Sequence, residues 1–193
     1  MTATAQLEHP VARIVQRLPM AVARVTAVAA ATWVGFVLLI DDWRAAEASV
    51  VVNTLDALGI TGATRFGAQI DVERANGASF LANIGPLCSS LGVVLLMSAI
   101  AIFAVRGSRR RRAAAVLRGA GVVIVCNLLR IGGTVVTGLR NGTVALDAFH
   151  DGLATAFAVL FVLGGFALFA FSLPKLNDER RVRPPSWQPP GQP

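Results

Sequence analysis

The chain has 193 residues, of which 54% are hydrophobic and only 15% charged, and its mean hydropathy is +0.62. That is too apolar for an ordinary soluble domain, and it points to an integral membrane protein. The net charge of +7 does not imply nucleic acid, because the arginines cluster between and beyond the apolar segments, where positive charge orients membrane helices.

Helices of roughly 20 residues cross a hydrocarbon core of about 30 Å, and four apolar segments qualify, near residues 20–40, 86–105, 113–139 and 146–173. The expected fold is therefore an all-α integral membrane protein with about four transmembrane helices. Residues 20–173 form one membrane-embedded domain, between an N-terminal segment (1–19) and a Pro- and Gln-rich, disordered tail (174–193). Arg13 and Arg17 precede the first segment. The run Arg106-Gly107-Ser108-Arg109-Arg110-Arg111-Arg112 separates the second from the third, and Lys175, Arg180, Arg181 and Arg183 follow the fourth. The positive-inside rule makes all three cytoplasmic and gives a multi-pass plasma-membrane protein with both termini inside. A cleaved signal peptide is the rival for the N-terminus, but the apolar stretch runs on to Ile40 and suits a retained anchor better.

The first segment ends at Asp41-Asp42-Trp43, where the Trp suits the outer interface. The loop from about 41 to 85 is then external. Arg44–Leu58 predicts a short amphipathic helix along the membrane, with Val51, Leu55 and Leu58 as its stripe. From Thr64 the period changes to two, with Phe66, Ala68, Ile70 and Val72 on one face. Asn76-Gly77 and then Ser79-Phe80-Leu81 follow, which predicts a small β-hairpin.

Gly85-Pro86 opens the second apolar segment, and Pro is favoured at the first helical position. Cys88 is expected in that helix's first turn, where free N–H groups and the helix dipole favour a thiolate. Its bland alternative is a small buried hydrophobe. In the third segment, Asn127 and Arg130 share a face at i, i+3. A charge at membrane depth costs at least about 2.5–3.5 kcal/mol unless it is paired or reaches water, and the alternative is an Arg snorkelling to outer headgroups. His150 opens the fourth segment, three residues after Asp147, a natural N-cap. A neutral imidazole there can take a thiol proton and return it; an interfacial His touching headgroups is the alternative. All three segment ends fall on the outer face. A nucleophile, a cation and a base gathered there are the parts needed for acyl transfer through a thioester. One His and one Cys cannot complete a zinc site, no cofactor motif is present, and Cys88 and Cys126 are expected as free thiols at different depths.

At these residues the chain resembles the exosortase/archaeosortase family of membrane cysteine transpeptidases. The resemblance rests on Leu87-Cys88-Ser89-Ser90-Leu91, Asn127-Leu128-Leu129-Arg130-Ile131 and His150, in that order, within roughly Gly62 to Phe171. It departs from the family in having Ser90 where Gly is usual and fewer spans than many members. The resemblance implies cleavage of a C-terminal sorting signal on exported proteins at the outer membrane face and transfer to a lipid or glycan acceptor. Cys88 would be the nucleophile, His150 the proton shuttle and Arg130 the stabiliser of negative charge, with Asn127 orienting Arg130 and Asp147 orienting His150. The alternative from another class is a non-catalytic four-helix membrane subunit or assembly factor whose Arg130 pairs with a partner's acid. A thiol-redox protein would want a second thiol near Cys88.

Overall fold

The computed structural model describes residues 10–74 and 76–173, with side chains from Leu18 onward. The expectations for residues 1–9 and for the 174–193 tail lie outside the described residues.

The first helix, α1, runs unbroken from Pro10 to Ala57. At 1.5 Å per residue it is about 72 Å long, more than twice the thickness of a hydrocarbon core. Only part of it can lie in a bilayer. This corrects the expectation of a separate amphipathic helix beginning near Arg44, because Asp41 and Asp42 lie within the helix and no Gly or Pro interrupts the chain there. The predicted stripe is buried at Val51 and Leu55 but not at Leu58, which is 69% exposed. The stripe packs on a sheet rather than on lipid.

That sheet is a three-stranded antiparallel meander of β1 (Ala63–Phe66), β2 (Gln69–Glu73) and β3 (Ser79–Asn83), in the order β1-β2-β3. The expected first strand is in fact two strands. Phe66 pairs with Gln69 across a two-residue loop whose first position, Gly67, has φ +60°, as a type II′ hairpin requires. The turn reverses the facing of everything before it. Phe66 is 78% exposed while Ile70 and Val72 are fully buried, although period two placed all three on one face. The second turn includes Asn76-Gly77, as expected, with Gly77 at φ +78° and the Arg74 N–H donating to the Ala78 carbonyl at 2.9 Å.

After the sheet, a single 3₁₀ turn (Pro86–Cys88) leads into α2 (Leu91–Ala99), which widens into a π-helical turn over Ile100–Ala104. Helix α3 (Arg109–Asn141) is capped by the Ser108 hydroxyl accepting from the Arg111 N–H. Helix α4 (Thr143–Phe149) continues through a π-helical turn at His150–Ala154 into α5 (Thr155–Ser172). Among the described residues, three helices are long and apolar enough to cross a membrane: Leu18–Ala57, Arg109–Asn141 and Thr143–Ser172. The apolar helix Leu91–Ala104 is only about 21 Å long at 1.5 Å per residue. Length and composition alone therefore single out three spans among the described residues, and the fourth expected span corresponds to this shorter helix.

Two apolar cores stack along the bundle. The first joins Val51 and Leu55 of α1, Ile70 and Val72 of the sheet, and Ile131 and Val135 of α3. The second joins Met97 and Ala101 with Ala115 and Val123 of α3 and Phe161 and Phe169 of α5. Cys88 packs against the first and Cys126 against the second. Both are free thiols.

Candidate active site

Gly85 is extended (φ −63°, ψ 156°), Pro86 starts the 3₁₀ turn, and Ser89 is extended again (φ −87°, ψ 144°) before α2 begins. Cys88 therefore sits on a separate turn ahead of the helix. Its N–H donates to the Gly85 carbonyl at 2.9 Å. This corrects the expectation that a helix N-terminus activates the thiol, since the extended residue at 89 disconnects Cys88 from the dipole of α2.

Other groups face the sulfur. Cys88 Sγ lies 3.4 Å from His150 Nε2 and 3.7 Å from Arg130 Nη2, and Arg130 Nη2 is 3.4 Å from His150 Nε2. The three residues predicted from sequence meet in one triangle. Burial pushes the Cys88 thiol up, but hydrogen bonds from His150 and Arg130 and the positive charge of Arg130 outweigh it and hold the thiol below its ordinary range. Arg130 itself is only 8% exposed. Its guanidinium is turned into the site, so it does not snorkel to headgroups.

His150 opens a π-helical turn, a local widening often found at functional positions. Its Nδ1 stands 3.1 Å from Asp151 Oδ1. An ionised carboxylate only accepts, so a neutral imidazole here carries its proton on Nδ1 and turns the Nε2 lone pair toward Cys88 and Arg130. The partner expected from sequence, Asp147, does not take this place. It is exposed within α4, and the N-cap of that helix is Gly142.

Asn127 also differs from expectation. Its Nδ2 donates to the Cys88 carbonyl and to Glu47 Oε1, each at 3.0 Å. It therefore holds the backbone of Cys88 rather than Arg130. Glu47, for which the sequence suggested no role, is 4% exposed. A signal was available, because Glu47 lies on the stripe it shares with Val51 and Leu55 at i+4 and i+8, an acid where the pattern asks for an apolar residue. Trp43, expected at the membrane interface, instead donates from Nε1 to the Ser90 hydroxyl at 3.1 Å.

Beside the triangle is a pocket of about 50 Å³ whose wall includes Ile70, Ile84 and Val135, with Cys88, Arg130 and His150 at one side. The walls are mainly apolar and the reactive groups converge, an arrangement suited to one small side chain of a bound chain. Among the described residues, no three His, Cys, Asp or Glu side chains stand close enough to hold a metal ion.

No curated protein and no solved structure matches the chain. A family comparison does, and it spans the sheet, the 3₁₀ turn that carries Cys88 and most of each described apolar helix. The sequence model of the transmembrane exosortases matches residues 12–170, and the chain therefore belongs to the transmembrane exosortase family.

Proposed function

We propose that the protein is a membrane-embedded cysteine transpeptidase that cleaves the C-terminal sorting signal of exported proteins at the outer membrane face and passes them to a cell-surface lipid or glycan acceptor. The observation that carries this reading is the triangle of Cys88 Sγ, Arg130 Nη2 and His150 Nε2, with separations of 3.4 to 3.7 Å.

In this reading Cys88 Sγ attacks the peptide carbonyl carbon as its proton passes to His150 Nε2. The guanidinium of Arg130 faces the oxygen that gains negative charge, a contribution typically about 10²–10³-fold in rate. Collapse breaks the C–N bond, and His150 returns the proton to the leaving amine. A hydroxyl or amine of the acceptor then attacks the thioester, gives its proton to His150, and releases the Cys88 thiolate.

The outer-face assignment is supported by charge. Cys88 precedes the N-terminal end of the helix Leu91–Ala104, whereas Arg106 and Arg109–Arg112 follow its far end. Positive charge favours the cytoplasm; with Leu91–Ala104 counted as a short fourth span, this supports a thiol on the opposite face and both chain ends inside.

The test is co-expression with an exported protein that ends in a short motif, an apolar helix and a basic end. Wild type should convert the precursor, and Cys88→Ala should accumulate it. Equal processing by wild type, Cys88→Ala, Arg130→Ala and His150→Ala would sink the proposal. A membrane-impermeant thiol reagent should reach Cys88 in intact cells; labelling only after the cells are opened would reverse the sidedness.

A further inference from the structure

The buried carboxyl of Glu47 needs a reason, because removing a charge-bearing group from water is costly and its neighbours on the α1 stripe, Val51 and Leu55, are apolar. One oxygen carries its contacts. Oε1 accepts from the Ser90 N–H at 3.0 Å, from the Ser90 hydroxyl at 2.7 Å and from Asn127 Nδ2 at 3.0 Å. The same Asn127 nitrogen donates to the Cys88 carbonyl at 3.0 Å. The carbonyl of the nucleophile and the N–H two residues later are thus tied, directly or through one amide, to a single oxygen atom.

The neighbouring residues of α1 hold the other end of the same segment. Arg44 donates from Nε to the Ile84 carbonyl and from Nη2 to Asn83 Oδ1 at 3.0 Å. Trp43 reaches the Ser90 hydroxyl. The stretch from Asn83 to Ser90 is therefore gripped at both ends by one face of α1, with Cys88 between the grips. Cys88 ends the 3₁₀ turn and is separated from α2 by the extended Ser89, so α2 does not fix its position.

We propose that Glu47 is a positioning residue: its Oε1, by accepting from Ser90 and Asn127, sets the place of Cys88 against Arg130 and His150. The inference deepens the transpeptidase reading and rests on it for its catalytic consequence. A 1 Å misplacement of a reacting group can reduce rate about 100-fold, so the reach of the side chain matters more than its charge.

The test compares Glu47→Gln, which keeps an acceptor oxygen at the same reach, with Glu47→Asp, which keeps the carboxyl but withdraws it by roughly one C–C bond, about 1.5 Å. Two quantities are read on the full-length protein in lipid: the pH profile of Cys88 alkylation by iodoacetamide, followed at the Cys88 peptide so that Cys126 does not contribute, and kcat and KM for precursor processing. Glu47→Gln should stay within about twofold of wild type in both. Glu47→Asp should move the alkylation midpoint upward and lower kcat by about 100-fold with little change in KM.

A folded Glu47→Asp with the wild-type profile and kcat overturns the proposal, as does a Glu47→Gln that loses as much as Glu47→Asp. Should Glu47→Asp not fold, Asn127→Ala carries the test, since it cuts the link to the Cys88 carbonyl while leaving Glu47 bonded to Ser90. An upward shift then supports the proposal and an unchanged profile overturns it. Alkylation needs no substrate, so the two ideas fail separately. Normal processing by Cys88→Ala would end the transpeptidase reading, whereas an unmoved alkylation profile would end only the role of Glu47.

Discussion

His150 Nε2 stands 3.4 Å from Cys88 Sγ although 62 positions separate them in the chain. The other ring nitrogen faces Asp151 Oδ1 at 3.1 Å, so Nε2 is the ring atom that exchanges a proton with the sulfur, accepting from the thiol when the imidazole is neutral and donating to the thiolate when it is protonated. Groups that act as one unit lose function non-additively. Cys88→Ala and His150→Ala should each reduce processing to background, and the double variant should be no worse than Cys88→Ala. The check is precursor-to-product conversion at matched protein levels. A His150→Ala variant that still processes at close to the wild-type rate would show that the two residues do not act as one unit.

Arg130 supplies the pH dependence. Burial raises the Cys88 thiol, and the contacts with His150 and Arg130 lower it by more. The folded value thus lies below the thiol's ordinary value. Thiolate reactivity should persist as pH falls through that ordinary value and disappear only at the lower, folded one. The linked stability has the same sign: it is present above the unfolded thiol's pKa and lost as pH falls through the folded pKa. Arg130→Leu removes a hydrogen bond and a charge that both favour the thiolate, so the midpoint of Cys88 alkylation should rise. Arg130→Lys should fall between, because an ammonium keeps the charge but not the planar fork that reaches both sulfur and imidazole. An alkylation midpoint in Arg130→Leu equal to wild type would show that the guanidinium does not act on the thiol.

The sequence singled out Cys88, Arg130 and His150, which lie within 3.4 to 3.7 Å of one another, because position along an apolar segment follows from counting residues. Facing does not follow from counting. Arg130 could equally have snorkelled outward, and only the packing of α3 against the sheet and the His150 turn aims it at the sulfur. The misreadings share a physical cause, which is that local pattern is blind to what lies opposite. Alternation from Phe66 to Val72 survives a two-residue turn on paper, yet the turn sends Phe66 to the other face. Asp147 has the composition of an N-cap, but α4 begins earlier, after Gly142. Glu47 reads as one more external acid until Ser90 and Asn127, brought from α2 and α3, converge on it.

Asp151 and Asp147 separate cleanly by experiment. Asp151 meets His150 Nδ1 at 3.1 Å, yet its side chain is 83% exposed. Water screens such a pair and can replace the acceptor. Asp151→Asn should therefore lower kcat only severalfold, with KM unchanged, by releasing the orientation of the imidazole. Asp147→Asn should leave both constants at wild type. Steady-state kinetics on the two variants decide the matter, and the reverse order would return Asp147 to the role its sequence position suggested.

Close packing of α3 on α5 makes a prediction about stability apart from chemistry. A Cβ added at Gly119 would lie 2.7 Å from Phe169 Cβ and 2.8 Å from the Gly165 carbonyl oxygen. Both are too near for either helix to stay in place, and overpacking of this kind typically costs about 1–3 kcal/mol. Gly121, two residues on, meets nothing within 4 Å, so Ala there gains helix propensity, up to about 1 kcal/mol. Gly119→Ala should thus lower the thermal midpoint in detergent and Gly121→Ala should hold or raise it. The Gly119 contact belongs to the second core, around Val123 and Phe169, whereas Cys88 packs on the first. Below its lowered midpoint, Gly119→Ala should keep the wild-type pH profile of Cys88 alkylation. A shifted profile would mean that the two cores do not behave separately and that α5 transmits strain to His150.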